Sequence, residues 1–93
     1  MILYHSTTNK KAKLYSQTGY IRKPVRGFDN LQAAMAWSLK IDGSRKVFYR
    51  IDTDEITGSD NVHKLPDHHN QFGSAWWIDD NVPYEKISCE FSA

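Results

Sequence analysis

Several features that would point to a particular class of protein are missing from this sequence. Cys89 is the single cysteine, so no disulfide can form within the chain, which is typical of a reducing compartment. No apolar run approaches the roughly 20 residues of a membrane-spanning helix. The N-terminus lacks the charged, apolar and small-residue regions of a signal peptide. We therefore expect a cytoplasmic protein that does not contact a membrane.

The sequence also lacks the short motifs of several large enzyme classes. It contains no nucleophile elbow, no phosphate-binding Walker loop and no dinucleotide-binding glycine pattern. Nothing therefore supports an α/β-hydrolase or a Rossmann-type enzyme.

Acidic residues are absent from the first 28 positions. This stretch has a formal charge of +6, whereas residues 29–93 have a formal charge of −5. The basic region 10–26 is expected to attract phosphates, a nucleic acid or an acidic protein. Its lysines at 10–13 fit the solvated face of a helix, but Arg22 and Arg26 lie in a predicted loop beside Pro24, and loops often hold ligand-binding residues.

The 93 residues are expected to form one domain, 1–93, near the lower size limit for burying a core. Periodicity predicts a strand at 2–5 and a helix over 9–17, capped by Thr7 or Thr8 and ended by Gly19. A second helix follows Asp29 as its N-cap, and strands are predicted at 46–52, 75–78 and 86–91. Residues 53–73 are predicted to be mostly loop. This order favours an α+β fold, a small and mostly antiparallel sheet with two helices.

Two clusters in the second half of the chain leave alternatives open. His63, His68 and His69 are able to supply zinc ligands, but their spacing matches no standard pattern, and hydrogen-bonding turn residues are the alternative. We assign no metal site. Trp76 and Trp77 beside a basic region suggest a single-stranded nucleic-acid interface, although strand alternation sends the two rings to opposite faces, so one of them is expected to build the core.

The first strand is the most informative segment. It runs from Ile2 into His5 and is followed by three hydroxyl residues, Ser6 to Thr8. An imidazole and hydroxyls at the end of a buried strand are typical of a ligand site. A packed histidine followed by a helix cap is the alternative.

Five segments in order along the chain carry a family resemblance. They are Leu3-Tyr4-His5-Ser6-Thr7, Thr18-Gly19-Tyr20-Ile21, Arg26-Gly27-Phe28 with the Ala-rich segment 29–39, Val47-Phe48-Tyr49-Arg50-Ile51, and residues 75–87 from Ala75 to Ile87. Together they resemble the ADP-ribosyltransferase superfamily, in its small bacterial and phage branches. The resemblance implies that the chain has the fold of this superfamily and that NAD is its substrate or ligand. It also implies a setting such as a phage or mobile element.

The resemblance also implies roles for individual residues. His5 would hydrogen-bond the NAD ribose, the Ser6 backbone would hold the nicotinamide amide, and Thr7 would support the nearby ribose. Phe28 would lie near the nicotinamide, and Arg26 would meet the pyrophosphate with its planar fork. The variable loop over the site would include His68 and His69, and Trp76 would add a ring to the pocket.

The family's catalytic glutamate is missing at the matching position, which is Ala75. If the chain is an enzyme, His5 acts with an acid supplied by Asp79, Asp80 or Glu85. If it is not, the fold is a module that binds a nucleotide or a macromolecular partner without transfer chemistry. Both hypotheses stay open at this stage, beside the nucleic-acid alternative.

Overall fold

A computed structural model describes residues 1–41 and 43–92. The helices are α1 (Asn9–Thr18) and α2 (Leu31–Ile41). The strands are β1 (Ile2–Thr7), β2 (Tyr20–Ile21), β3 (Val25–Phe28), β4 (Val47–Asp52), β5 (Val62–Asn70), β6 (Gly73–Ile78), β7 (Val82–Pro83) and β8 (Ile87–Ser92). None of the described helices has the length and apolar character needed to cross a membrane.

Six strands form one sheet in the order β5-β6-β3-β1-β4-β8, and β2 and β7 form a separate pair. Every one of these pairings is antiparallel. The prediction of an α+β fold with two helices and a mostly antiparallel sheet is therefore confirmed.

Two apolar clusters cover the two faces of the sheet. One includes Leu3, Ile51 and Ile78, with Tyr15 of α1 packed against it. The other contains Ala33 and Ala34 of α2 with Phe28, Phe48 and Ala75. Because neighbouring residues of a strand point to opposite faces, Leu3 and Tyr4 belong to different clusters. The helices α1 and α2 thus lie on opposite faces of the sheet.

Local signals predict both helix starts to within one residue. Thr8 caps α1 by accepting a hydrogen bond from the Lys11 amide at 3.2 Å, and Gly19 ends the helix in the left-handed conformation with φ 87°. For α2 the predicted cap Asp29 is wrong. Asn30 accepts from the Gln32 amide at 2.8 Å, while Asp29 accepts from the Ser74 amide and the Trp76 indole.

The predicted loop at 53–73 is wrong at residues 62–70, which form the edge strand β5. This strand is mostly exposed and polar, so it has no apolar alternation for a sequence pattern to reveal. Pairing with β6 defines it, and the pairing register shifts between Lys64 and His69. Pro66 lies inside this irregular part, where a missing amide donor costs no ladder bond.

The central strands β1 and β3 separate soon after they meet. Their ladder contains the single pair Tyr4–Phe28, whereas β1 pairs with β4 over six residues. Gly27 lies at the closest approach, since a Cβ there would lie 3.1 Å from the Leu3 Cβ and 3.1 Å from the Tyr4 carbonyl oxygen. Beyond this contact the sheet is split into two halves.

The Gly27 contact yields a stability prediction. Gly27→Ala places a methyl 3.1 Å from the buried Leu3 Cβ and from the Tyr4 carbonyl oxygen, so we expect a loss of about 1–3 kcal/mol in the free energy of unfolding, as for other overpacked sites. Urea denaturation measures this change. Gly58→Ala is the matched control, because its φ of −77° suits alanine and a Cβ there meets nothing within 4 Å. Equal stability of the two variants would contradict the close approach.

Candidate functional site

A cavity of about 650 Å³ opens where β1 and β3 part. Residues from both faces of β1 line it, from Tyr4 to Thr7, and so do residues of both helices, including Tyr15 of α1 and Trp37 of α2. Since the two helices lie on opposite faces, the cavity passes through the split rather than lying on one side of the sheet. Its volume is within the range of about 300–1,000 Å³ that is typical of small-molecule sites.

His5 bridges the split. Its Nδ1 lies 2.6 Å from the Arg26 carbonyl oxygen of β3. A carbonyl oxygen only accepts, so Nδ1 carries the proton and Nε2 is left with a free lone pair. The Tyr15 hydroxyl is 3.5 Å from Nε2, a long contact that a ligand hydroxyl is able to replace. His5 therefore presents an acceptor to the cavity.

The His5 imidazole is held neutral. Burial lowers its pKa below the ordinary value of 6.5, and the positive charges of Lys11 and Arg45 lower it further, against the opposing effect of the hydrogen bond to the Arg26 carbonyl. A neutral ring with a fixed tautomer suits the recognition of a sugar hydroxyl better than the recognition of a phosphate, because Nε2 accepts and does not donate.

The unprotonated Nε2 of His5 contacts the Tyr15 hydroxyl, and the Thr7 hydroxyl contacts Tyr15 in turn. Thr7 is almost fully buried, at 2% exposure, and its Oγ1 lies 3.5 Å from the Tyr15 hydroxyl. The ring of Tyr49 packs near the ring of Tyr15, with the two centroids 6.4 Å apart. Burial and the neighbouring Tyr84 hydroxyl raise the pKa of Tyr49, so this phenol stays neutral. Thr7 and Tyr15 line the cavity, so their hydroxyls offer a ligand both hydrogen-bond donors and acceptors.

Positive charge dominates the cavity wall. Five basic residues line it, namely Lys11, Arg22, Arg26, Lys40 and Arg45, and Asp67 is the one acidic residue among its described lining residues. The formal excess is thus four positive charges. No described carboxylate lies within ion-pair distance of any of the five. Cations gathered without acidic partners are expected to attract an anionic ligand.

Flat rings complete the wall. Phe28 and Trp37 contact each other with centroids 6.0 Å apart, and the Arg45 guanidinium lies 5.1 Å from the Trp37 centroid. Tyr4 and His68 add further rings to the lining. Rings of this kind stack on nucleobases, and each stacked base is worth about 1–3 kcal/mol. The cavity thus combines stacking surfaces with cations.

Most of the predicted ligand residues meet in this cavity. Those that line it are His5, Ser6, Thr7, Arg26, Phe28 and His68, together with His69. Trp76 does not line it, because its ring packs against the cluster around Leu3 and its indole nitrogen donates to Asp29 at 3.1 Å. Trp77 faces away from Trp76 and lies edge-on to His63, so the two rings do not form one platform.

The predicted acids lie elsewhere. Asp79, Asp80 and Glu85 are all outside the cavity lining. Asp80 accepts from the Asn81 amide at 2.9 Å within its own turn, and Glu85 lines a separate, open depression with Arg50 and Lys86. Ala75 does line the cavity and is 6% exposed. The predicted replacement of a catalytic glutamate by Ala75 thus falls on the cavity wall, where this residue presents a methyl group.

Several cavity residues were not predicted from the sequence as ligand residues, among them Tyr15, Trp37, Lys40 and Arg45. Trp37 and Lys40 fall on the second helix, where the residue pattern indicates packing. Arg45 follows α2 and lies outside the basic stretch 1–28, so the charge distribution of the sequence did not mark it as a ligand residue. The sheet split brings these residues into the same cavity as His5.

Among the described residues, no group of three or more His, Cys, Asp and Glu side chains is arranged to hold a metal ion. His63, His68 and His69 lie along β5, and only the last two line the cavity.

No known protein family model, curated protein or solved structure matches this chain.

The lowered pKa of His5 predicts a pH effect on stability. Between the folded pKa and the unfolded value of 6.5, the unfolded chain binds more protons, so stability falls as the pH drops from 7.5 through 6.5. His5→Asn keeps a donor for the Arg26 carbonyl but does not titrate, so we expect a shallower fall. Urea denaturation at pH 7.5, 6.5 and 5.5 compares the two. Parallel pH profiles would contradict a depressed His5 pKa.

Proposed function

We propose that this protein binds NAD or a related phosphate-bearing nucleotide in the cavity built on His5, as an ADP-ribosyltransferase-like module that does not catalyse transfer. The observation that carries the proposal is the set of five basic side chains, unpaired with any described carboxylate, that share one cavity with several aromatic rings. Phosphates match the first feature and nucleobases the second.

The parts of a nucleotide match separate parts of the wall. The Nε2 lone pair of His5, with Thr7 and Tyr15 around it, suits a ribose hydroxyl. Arg26 suits the pyrophosphate, because its guanidinium presents a planar fork to two oxygens. The rings of Phe28 and Trp37 suit a base. The order of segments along the chain also resembles that superfamily, and this resemblance supports the same assignment.

Transfer chemistry lacks an acid in the expected place. Cleaving the bond between a sugar and its leaving group builds positive charge on the sugar, which a nearby carboxylate stabilises. Ala75 supplies none, and the surrounding cations oppose such a charge. A binding function therefore fits this wall better than a catalytic one.

A transferase is the second candidate, and one observation favours it. Asp67 lines the same cavity from β5, so a carboxylate is available from another wall. Asp67 is exposed, and no described basic residue forms an ion pair with it. If the chain is an enzyme, Asp67 is the residue that we expect to act as the acid.

Calorimetric titration with ADP-ribose and with NAD tests the binding. We expect both to bind, and Arg26→Gln to weaken binding about tenfold or more, since hydrogen bonds to charged groups are worth roughly 1.5–3 kcal/mol. Arg50→Gln is the control, because Arg50 is equally exposed but lies outside the cavity lining. Absence of binding by both nucleotides would refute the proposal.

Nicotinamide release from NAD separates the two candidates. We expect no release above the rate in buffer, because no carboxylate occupies the Ala75 position. Release by the wild-type chain that disappears in Asp67→Asn, with NAD binding retained, would establish an enzyme and overturn the purely binding function.

A further inference from the structure

We propose that the cavity contains a second anion subsite, formed by Lys11 and Arg45 near His5, which takes a phosphate monoester on the sugar of the bound nucleotide. This inference rests on the proposed nucleotide binding and specifies which nucleotides the cavity prefers. NADP is the simplest member of the preferred class, and NAD is its counterpart without the extra phosphate.

The charge of the wall exceeds what NAD neutralises. NAD has one negative charge on each of its two bridging phosphates and a positive charge on its nicotinamide ring. The wall has a formal excess of four positive charges among its described residues. A phosphate monoester adds a charge of about −1.5 to −2 at pH 7. A nucleotide with such a group thus matches the cavity better than NAD does.

The cations also come from several elements around the cavity. Lys11 belongs to α1, Lys40 to α2, and Arg26 to β3, while Arg45 precedes β4. Lys11 and Arg45 line the same cavity as His5 from two different elements, and their positive charges both lower the pKa of its imidazole. One pyrophosphate at Arg26 leaves this second pair without an anion.

Lys11 occupies a position that helix stability disfavours. The positive end of the helix dipole lies at the N-terminus, so basic residues in the first turn are unfavourable there. The first turn of α1 nevertheless contains Lys10 and Lys11 and no acidic residue. The Lys11 amide donates a hydrogen bond to the Thr8 hydroxyl at 3.2 Å, and this bond fixes the backbone position from which the Lys11 side chain extends. Of these two lysines, Lys11 lines the cavity and Lys10 does not, so Lys11 is the one placed to meet a ligand anion.

Arg45 is held in place before any ligand binds. Its carbonyl oxygen accepts from the buried Ser38 hydroxyl at 2.5 Å, and its guanidinium lies over the Trp37 ring. An arginine fixed in this way loses little side-chain freedom when it meets a phosphate. In the proposed pose, the neutral His5 accepts a hydrogen bond from a sugar hydroxyl, and a phosphate on the same sugar turns toward Lys11 and Arg45, which line the same cavity.

Calorimetric titration of the full chain with NAD and with NADP tests the subsite, because the two nucleotides differ by one phosphate. We expect NADP to bind about tenfold or more tightly at low salt, since charge-assisted hydrogen bonds are the strong ones. Lys11→Gln and Arg45→Gln should each bring the two affinities close together by weakening NADP binding. Lys13→Gln should leave the ratio unchanged, because Lys13 is exposed on the same helix but lies outside the cavity.

The remaining outcomes separate the subsite, the placement of the phosphate and the proposed function. Equal affinity of the wild-type chain for NAD and NADP overturns the subsite while the proposed nucleotide binding stands. A preference for NADP that survives both Lys11→Gln and Arg45→Gln overturns the placement of the phosphate. Failure of both nucleotides to bind overturns the subsite and the proposed function together. Lys11→Gln alters an exposed residue, so its result does not depend on a repacked core.

Discussion

The hydrogen bond between the His5 ring and the Arg26 carbonyl is the interaction on which the site depends. It spans 2.6 Å across the place where β1 and β3 stop pairing. A side chain here replaces a backbone ladder bond, which keeps the two halves of the sheet joined while they diverge. The same bond fixes the tautomer of His5, so one contact shapes the cavity and sets its chemistry.

Gly27 makes this arrangement possible. At the last point of contact, β3 approaches β1 so closely that a Cβ would meet Leu3 and the Tyr4 carbonyl. This close approach buries the backbone at the Tyr4–Phe28 pair, and the two strands diverge beyond that pair. Much of the cavity wall thus belongs to the sheet and the two helices, and a site built on such elements costs less to order around its ligand than one built on loops.

Charge defines what this cavity is able to hold. The wall gathers basic side chains that have no described acidic partner, and it leaves a methyl group at Ala75. Such a wall attracts phosphates and disfavours a cationic transition state. Trp37 and Phe28 add stacking surface beside the cations. The combination suits binding of a multiply phosphorylated nucleotide.

Local patterns in the sequence determined the secondary structure well, because caps, glycines and apolar periods act over a few residues. Thr8, Gly19 and the alternation at 47–52 each predicted an element correctly. The resemblance to the ADP-ribosyltransferase superfamily, rather than these local patterns, placed His5, Ser6 and Arg26 in one predicted site, and all three line the cavity. Local patterns failed for β5, whose polar residues adopt a strand only because β6 pairs with them.

Tertiary structure alone decided how the site is completed. Arg45 and Trp37 are far from His5 along the chain, and no local pattern connects them. The sheet split brings them to one cavity, and it leaves Asp79 and Asp80 outside. The sequence determined that a histidine and hydroxyls end the first strand. The divergence of β1 and β3 after a single pair decided that they face a cation-rich cavity, since strand pairing is a contact between distant segments.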